Sequence, residues 1–144
     1  RLAQTFARRG YNIDSLVVSP AHDTNFSRIT VVVQGEPSTY DQIIRQLNKL
    51  IDVVHAKSHD SIDVVDREMA LFKVKVYPKK RHEIFQIVEV FRAKTVDITD
   101  HSIVIETTGD SSKIDALEKL LAPMGLSEMV RSGKLIMKRG IEKT

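Results

Sequence analysis

The second half of this chain repeats the first half at a constant spacing. Gly35, Asp41 and Leu47 each recur as the same residue type 74 positions later. Phe6 recurs as Phe91, 85 positions later, so the first half has 11 additional residues between its Phe and its Gly marker. A repeat of this length indicates two copies of one supersecondary unit. We therefore expect the 144 residues to form two small domains.

The second copy has the clearer pattern, with period-2 strands and period-3.6 helices bounded by Pro and Gly. The predicted strands are Met69–Tyr77, Thr95–Thr99, Ser102–Thr108 and one or two within Leu126–Met137, and the predicted helices carry stripes at Ile84–Phe91 and Ile114–Leu121. The order strand, helix, strand, strand, helix, strand is that of the ferredoxin-like fold. The fold class is therefore α+β, with two ferredoxin-like (βαββαβ) domains in tandem, each a four-stranded antiparallel sheet with two helices on one face.

The first copy begins within a helix that ends at Gly10. Strands over Tyr11–Ser19 and Ile29–Val33 are expected to pair antiparallel, followed by a helix over Ser38–Leu50 and a short strand over Asp52–Lys57. Nothing in this copy matches the first strand of the second copy, so we expect that strand to precede Arg1. The polar, acidic residues 58–66 are interpreted as a linker or a long surface turn. The predicted domains are residues 1–60 and 67–144.

In this fold the helices cover only one face of each sheet. Apolar side chains occupy both faces of Ile29–Val33, because Val31 and Val32 point in opposite directions. An apolar face without helices favours a protein partner. We therefore expect homodimerisation.

Composition argues against several classes of function. The chain has no cysteine, no glycine-rich phosphate loop and no Gly-x-Ser-x-Gly turn, so we predict that it is not an enzyme. The net charge of +3 is small, and the basic run Lys79–Arg81 lacks interleaved aromatic residues, so nucleic acid is not an expected partner. No run approaches the roughly 20 apolar residues of a membrane span. We expect a cytoplasmic protein without membrane contact, since the lack of cysteine fits a reducing compartment.

Two histidines raise the alternative of a metal-responsive regulator. His55 and His59 are four residues apart, with Asp60 and Asp63 nearby. That spacing suits two metal ligands on a helix, but here the pair brackets a predicted strand end, where helical ligand geometry does not exist. A solvated polar linker is the simpler interpretation, and we predict no metal site.

Asn12 lies where the first helix has ended and a strand begins. Its side-chain amide both donates and accepts hydrogen bonds, so it could meet the carboxylate and the ammonium group of a free amino acid. Asn also tolerates unusual turn conformations. The residue alone leaves both interpretations open.

Taken together, several stretches resemble the small, regulatory subunit of acetolactate synthase (acetohydroxyacid synthase). They occur in order over nearly the whole chain: Asn12–Val18, Ser27–Thr30, Gln46–Val53, Arg67–Val74, Phe91–Ala93 and Arg131–Gly133. The resemblance implies an N-terminal ACT domain, itself ferredoxin-like, followed by a second ferredoxin-like domain. It also implies that the family's Asn-Glu-x-Gly stretch and first strand belong upstream of Arg1.

The resemblance implies a non-catalytic protein of branched-chain amino acid biosynthesis. Its partner would be the large catalytic subunit, which carries thiamine diphosphate, magnesium and flavin. The small subunit would hold no cofactor, would raise the partner's activity, and would confer feedback inhibition by valine, or by leucine or isoleucine. The effector would bind between two ACT domains, where Asn12 holds its polar end and Ile13 borders its side chain.

The longer connection in the first copy, residues 21–28, exceeds what a hairpin needs and is therefore a candidate functional loop. We predict that Asn25, Ser27 and Arg28 contact the large subunit. Arg28 suits a carboxylate of the partner, although it could equally pin its own hairpin. The alternative function is a stand-alone amino-acid sensor or a part of a transcription regulator, but no helix-turn-helix pattern is visible.

Overall fold

The computed structural model describes residues 13–20, 22, 25–34, 37–49 and 63–144. They fall into two compact units. The first unit continues through Val65 and includes Lys134–Thr144, and the second is Asp66–Gly133. The predicted helix before Gly10 and the predicted strand Asp52–Lys57 lie outside the described residues. The predicted domain limits stay predictions.

The first unit contains a β-hairpin followed by a helix. Strands β1 (Ile13–Pro20) and β2 (Ser27–Val33) pair antiparallel, as the sequence predicts, and helix α1 covers Pro37–Asn48. A short strand near the C-terminus, Leu135–Lys138, also belongs to this unit.

The second unit has the complete element order that the repeat predicts. Strand β3 (Val64–Lys75) enters it from the first unit and is followed by α2 (Arg81–Val90), β4 (Lys94–Ile98), β5 (Ser102–Gly109), α3 (Ser111–Leu121) and β6 (Leu126–Arg131), with 3₁₀ turns at Pro78–Lys80 and Ala122–Met124. The sheet order is β4-β5-β3-β6, with each adjacent pair antiparallel. The last strand of the chain, β7 (Leu135–Lys138), pairs with β3. The α+β, ferredoxin-like prediction is confirmed.

Strand β3 starts earlier than the sequence suggests. We predicted a strand from Met69 and a linker up to Asp66, but the strand begins at Val64, which is 5% exposed. The backbone N–H of Arg139, just beyond β7, donates to the carbonyl oxygen of Asp63 at 2.9 Å. The C-terminal end of the chain therefore supplies hydrogen bonds that a polar linker would have sought from water.

The second unit buries its own apolar core. On β3 the side chains alternate strictly, so that Phe72 and Val74 are fully buried while the lysines between and after them are exposed. The core is formed by Ala70, Phe72, Val74, Val76, Ile84, Val88, Ile103, Ile105, Ile114, Leu117 and Leu121. Apart from Val76, which directly follows β3, these positions come from β3, β5, α2 and α3, which places the core between the sheet and the two helices.

The 74-residue repeat corresponds to real structural equivalence. Helix α1 begins at Pro37 and α3 begins at Ser111, which are the same 74 positions apart. Asp41 and Asp115, both named in the repeat, lie on these helices. Among the described residues, none of the helices combines the length and the apolar character that crossing a bilayer requires.

Candidate functional site

The predicted effector-binding residues lie at the start of β1. Ile13 is the first residue of the strand, pairs with Val33 of β2, and is 37% exposed. The pairing is irregular between Ile13 and Ser15, and a bulge of this kind redirects nearby side chains. Asn12 lies outside the described residues. Ile13 is thus available for contact, and the role of Asn12 stays a prediction.

The residues predicted to contact the large subunit lie at the opposite end of the hairpin. Asn25 is exposed in the turn, Ser27 begins β2, and Arg28 is half-buried opposite Ser19. Because β1 rises about 3.3 Å per residue, Ile13 and this connection are separated by roughly 23 Å along the strand. The structure therefore does not bring the two predicted sites together. It places them at the two ends of one hairpin.

Between these ends, the hairpin presents what we call the outer apolar face: Leu16, Val18, Ile29 and Val31. Leu16 is opposite Val31 and Val18 is opposite Ile29, so all four side chains share one face. Leu16, Val18 and Ile29 are 43%, 61% and 44% exposed. An uninterrupted exposed apolar face is typical of a protein contact surface.

The opposite face of the hairpin carries hydroxyl groups and is more buried. Ser15, Val17 and Ser19 are half-buried, and Thr30 is 7% exposed. The same face also carries Val17 and Val32, so it mixes hydroxyl and apolar side chains. The sequence analysis placed apolar residues on both faces of β2, and the register agrees, because Val32 is opposite Ser15 on this face and Val31 is opposite Leu16 on the other.

One contact on this inner face could not have been found from sequence. The backbone N–H of Lys134 donates to Oγ of Ser15 at 3.2 Å, within the first unit but across 119 residues of chain. No local pattern predicts a partner at that separation. The bond explains why a serine occupies a half-buried strand position.

The described residues do not test the predicted absence of a metal site at His55 and His59. They include no group of three or more His, Asp or Glu side chains arranged to hold a metal ion. His55 and His59 lie outside the described residues.

In the second unit, three charged side chains meet at one end of the sheet. Arg131 donates through Nη2 and Nε to the same carboxylate oxygen of Glu68, at 2.6 and 3.1 Å, and through Nη1 to Oδ1 of Asp115 at 2.5 Å. Glu68 is only 6% exposed. The sequence placed Arg131 in a distinctive Arg-Ser-Gly stretch but gave no sign that Glu68 would be buried.

The hydrogen bond to Glu68 raises the pKa of Arg131 above its usual value. Burial lowers that pKa by less, and the hydrogen bond to Asp115 raises it again. The guanidinium group therefore stays charged throughout the pH range in which proteins are folded. A charge of this kind can hold strands and a helix together, but it cannot exchange a proton in catalysis.

The sequence of this chain matches two family models in order. One is described as the AHAS small subunit-like ACT domain and matches residues 1–55. The other is described as the small subunit of acetolactate synthase and matches residues 67–140.

Individual relatives agree with these matches. The probable acetolactate synthase small subunit of Archaeoglobus fulgidus is 41% identical over 143 residues, which cover 99% of this chain and 89% of that protein. The acetolactate synthase small subunit of Mycobacterium leprae is 39% identical over 97% of this chain and 83% of its own length. The crystal structure of the acetolactate synthase small subunit from Thermotoga maritima aligns with a TM-score of 0.89 at 38% identity, over 98% of this chain and 88% of that one.

Proposed function

Because this chain belongs to the family of acetolactate synthase small subunits, we propose that it raises the activity of a large catalytic subunit and makes it sensitive to feedback inhibition. The inhibitor is a branched-chain amino acid, with valine the first expectation and leucine or isoleucine the others. The chemistry belongs to the large, thiamine diphosphate-dependent subunit, and this chain contributes no catalytic group. The complex is cytoplasmic.

One observation carries this proposal. Both halves of the chain match models of the same subunit, in chain order, over residues 1–55 and 67–140. An isolated ACT domain in a stand-alone sensor would give no reason for the second match.

The effector contacts Asn12 and Ile13 in this proposal. Ile13 begins a strand, is partly exposed, and follows directly on Asn12, so an aliphatic side chain of the ligand meets an aliphatic side chain of the protein. The amide of Asn12 supplies both the donor and the acceptor that an amino acid's charged groups need. Losing hydrogen bonds to charged groups costs about 1.5–3 kcal/mol, or roughly 10- to 100-fold in affinity.

Titration calorimetry tests the effector site. Valine, leucine and isoleucine are each titrated into the small subunit and into its Asn12→Ala variant, with Asn25→Ala as the matched control at the other end of the hairpin. We expect one of the three ligands to bind, weakly in Asn12→Ala and normally in Asn25→Ala. Equal affinity in all three proteins would remove Asn12 from the site.

Two surfaces of the hairpin have different partners in this proposal. A second copy of the chain covers the outer apolar face, since burying several half-exposed aliphatic side chains favours association. The connection with Asn25, Ser27 and Arg28 contacts the large subunit, because a polar rim with an arginine suits a partner carboxylate.

Light scattering tests the homodimer. Val18→Lys places a charge in the outer apolar face and is expected to yield a monomer. Val96→Lys is the matched control, because Val96 is 52% exposed on β4 of the other unit, and it is expected to leave the dimer intact. A dimeric Val18→Lys protein would place the copy-to-copy contact elsewhere.

Reconstitution with the large subunit tests the second surface. Arg28→Ala is expected to lose most of the stimulation of acetolactate formation, while Arg67→Ala, which removes an exposed arginine of the second unit, keeps it. Unchanged stimulation by Arg28→Ala would show that Arg28 only supports its own hairpin.

A further inference from the structure

The chain crosses between its two units twice, and both crossings use neighbouring strands. It passes into the second unit after Val65, within β3, and returns to the first unit after Gly133, just beyond β6. In the sheet, Ala70 of β3 is opposite Arg131 of β6, and the strands are antiparallel. The incoming and outgoing segments therefore lie side by side at one end of the second unit.

A serine extends the pairing of these segments beyond the end of β6. The backbone N–H of Ser132 donates to the carbonyl oxygen of Met69 at 2.9 Å, and the backbone N–H of Met69 donates to Oγ of Ser132 at 3.0 Å. The same hydroxyl donates to the carbonyl oxygen of Gly133 at 2.9 Å. Gly133 has a φ of 86°, which glycine adopts without strain. The two segments thus stay bonded to each other up to Gly133, and the outgoing chain then continues into β7, which also pairs with β3.

Arg131 adds a charged connection at the same place. Its guanidinium joins Glu68 of β3 to Asp115 of α3, and the side chain of Glu68 is 6% exposed. Charge-assisted hydrogen bonds are among the strongest in proteins. Removing one partner of a buried pair leaves an uncompensated charge, which is far more costly than the loss of an exposed pair.

We propose that Arg131, Glu68, Asp115 and Ser132 form a strand clamp, which holds the incoming and outgoing segments together. We further propose that this clamp transmits the effector response between the units. With the clamp closed, the incoming and outgoing segments move together. With it open, the two segments are joined only through the pairing of β7 with β3, and a change in one unit reaches the other less completely. The coupling role rests on the proposed regulatory function, whereas the clamp itself does not.

Hydrogen exchange of single amides in the full-length small subunit tests the clamp. In Arg131→Met, which keeps the length of the side chain and removes its charge, the amides of Met69 and Ser132 are expected to exchange about tenfold faster or more. The core amide of Phe72 is expected to keep its rate. Unchanged exchange at Met69 and Ser132 would overturn the clamp.

The exposed ion pair between the same two strands provides the matched control. Lys73 and Glu128 are 3.5 Å apart with side chains 50% and 64% exposed, so Lys73→Met is expected to leave the exchange rates within about twofold. Equal acceleration by Lys73→Met would show that any cross-strand charge has this effect, and it would overturn a specific role for Arg131. If Arg131→Met does not fold, Glu68→Gln tests the same prediction while keeping the shape of the buried side chain.

Reconstitution with the large subunit tests the coupling. We expect Arg131→Met to retain stimulation and to weaken inhibition by the effector by about fivefold or more, with Lys73→Met unchanged. Faster exchange combined with normal inhibition would overturn the coupling role. If the wild-type subunit confers no inhibition by any branched-chain amino acid, the proposed function fails, and the exchange rates still decide the clamp.

Discussion

The sheets of the two units differ in what they leave exposed. In the second unit the outer face of the sheet mixes Met69, Leu71 and Val130 with charged residues, among them the Lys73–Glu128 pair. In the first unit the outer face of the hairpin carries four adjacent apolar side chains, Leu16, Val18, Ile29 and Val31, with no charged residue among them. Among the described residues, the two sheets therefore differ in whether charged side chains break up the exposed apolar ones.

The largest expected effect tests whether the second unit holds its own core. Phe72 is fully buried, so Phe72→Ala should cost about 3–5 kcal/mol of its free energy of unfolding. Phe26→Ala is the matched change in the first unit, where the ring is 48% exposed, and it should cost less than about 1 kcal/mol. Chemical denaturation followed by circular dichroism measures both. Similar losses of unfolding free energy in Phe72→Ala and Phe26→Ala would contradict the difference in core burial between the two units.

A smaller effect is expected at a glycine that the second unit needs for close packing. Gly125 has a φ of 106°, and a Cβ there would lie 2.3 Å from the carbonyl oxygen of Lys75. Gly125→Ala should therefore cost more than Gly140→Ala in the first unit, where φ is 83° and nothing lies within 4 Å. We expect about 1–2 kcal/mol for the backbone conformation alone and an additional loss only at Gly125. Equal decreases of the denaturation midpoint in Gly125→Ala and Gly140→Ala would show that the backbone near Lys75 shifts enough to accommodate the added Cβ.

The N-terminal end of helix α3 is also stabilised by a residue of the second unit. The carboxylate of Asp110 accepts a hydrogen bond from the backbone N–H of Lys113 at 3.0 Å. Asp110→Ala should cost about 1 kcal/mol, and Asp110→Asn, which keeps the acceptor, only a small part of that. If thermal unfolding gives the same loss for both variants, the charge rather than the hydrogen bond stabilises the helix.

The smallest effect compares the two outer faces directly. Leu16 and Leu71 are 43% and 40% exposed on equivalent faces, so each change to serine should cost about 1 kcal/mol or less in dilute protein. At concentrations where copies associate, Leu16→Ser should cost more, because association stabilises the folded state by mass action. Unfolding followed at two protein concentrations measures this. If the stability loss in Leu71→Ser depended more strongly on protein concentration than that in Leu16→Ser, the interface would lie on the sheet of the second unit and not on the outer apolar face.

The sequence predicted those elements whose signal is local. The alternation through Phe72 and Val74, the helical stripes and the 74-residue repeat were sufficient for the fold class, because burial against one layer produces a fixed period. The same reasoning located Ile13 on a strand and Arg28 next to a hairpin connection. The predicted hairpin also puts these residues at opposite ends, but it could not show the pairing register or its irregularity between Ile13 and Ser15.

The features that the sequence missed depend on distant partners. A carboxylate such as Glu68 is normally exposed, and it is buried here only because Arg131 meets it from 63 residues away. The polar stretch before Met69 was interpreted as a linker for the same reason, because the partners of the first residues of β3 come from the end of the chain. Ser15 likewise has its partner 119 residues away.

Strand β3 has a consequence for recombination among relatives. It runs for 12 residues through the point where one unit gives way to the other, so no loop there offers a natural breakpoint. A chimaera that exchanges the second unit between two relatives must be spliced after Val65 and again after Gly133. All residues between these two junctions must come from one parent. A single crossover between Glu68 and Arg131 would take these two residues from different parents, and we expect such hybrids to assemble poorly even when each fragment folds.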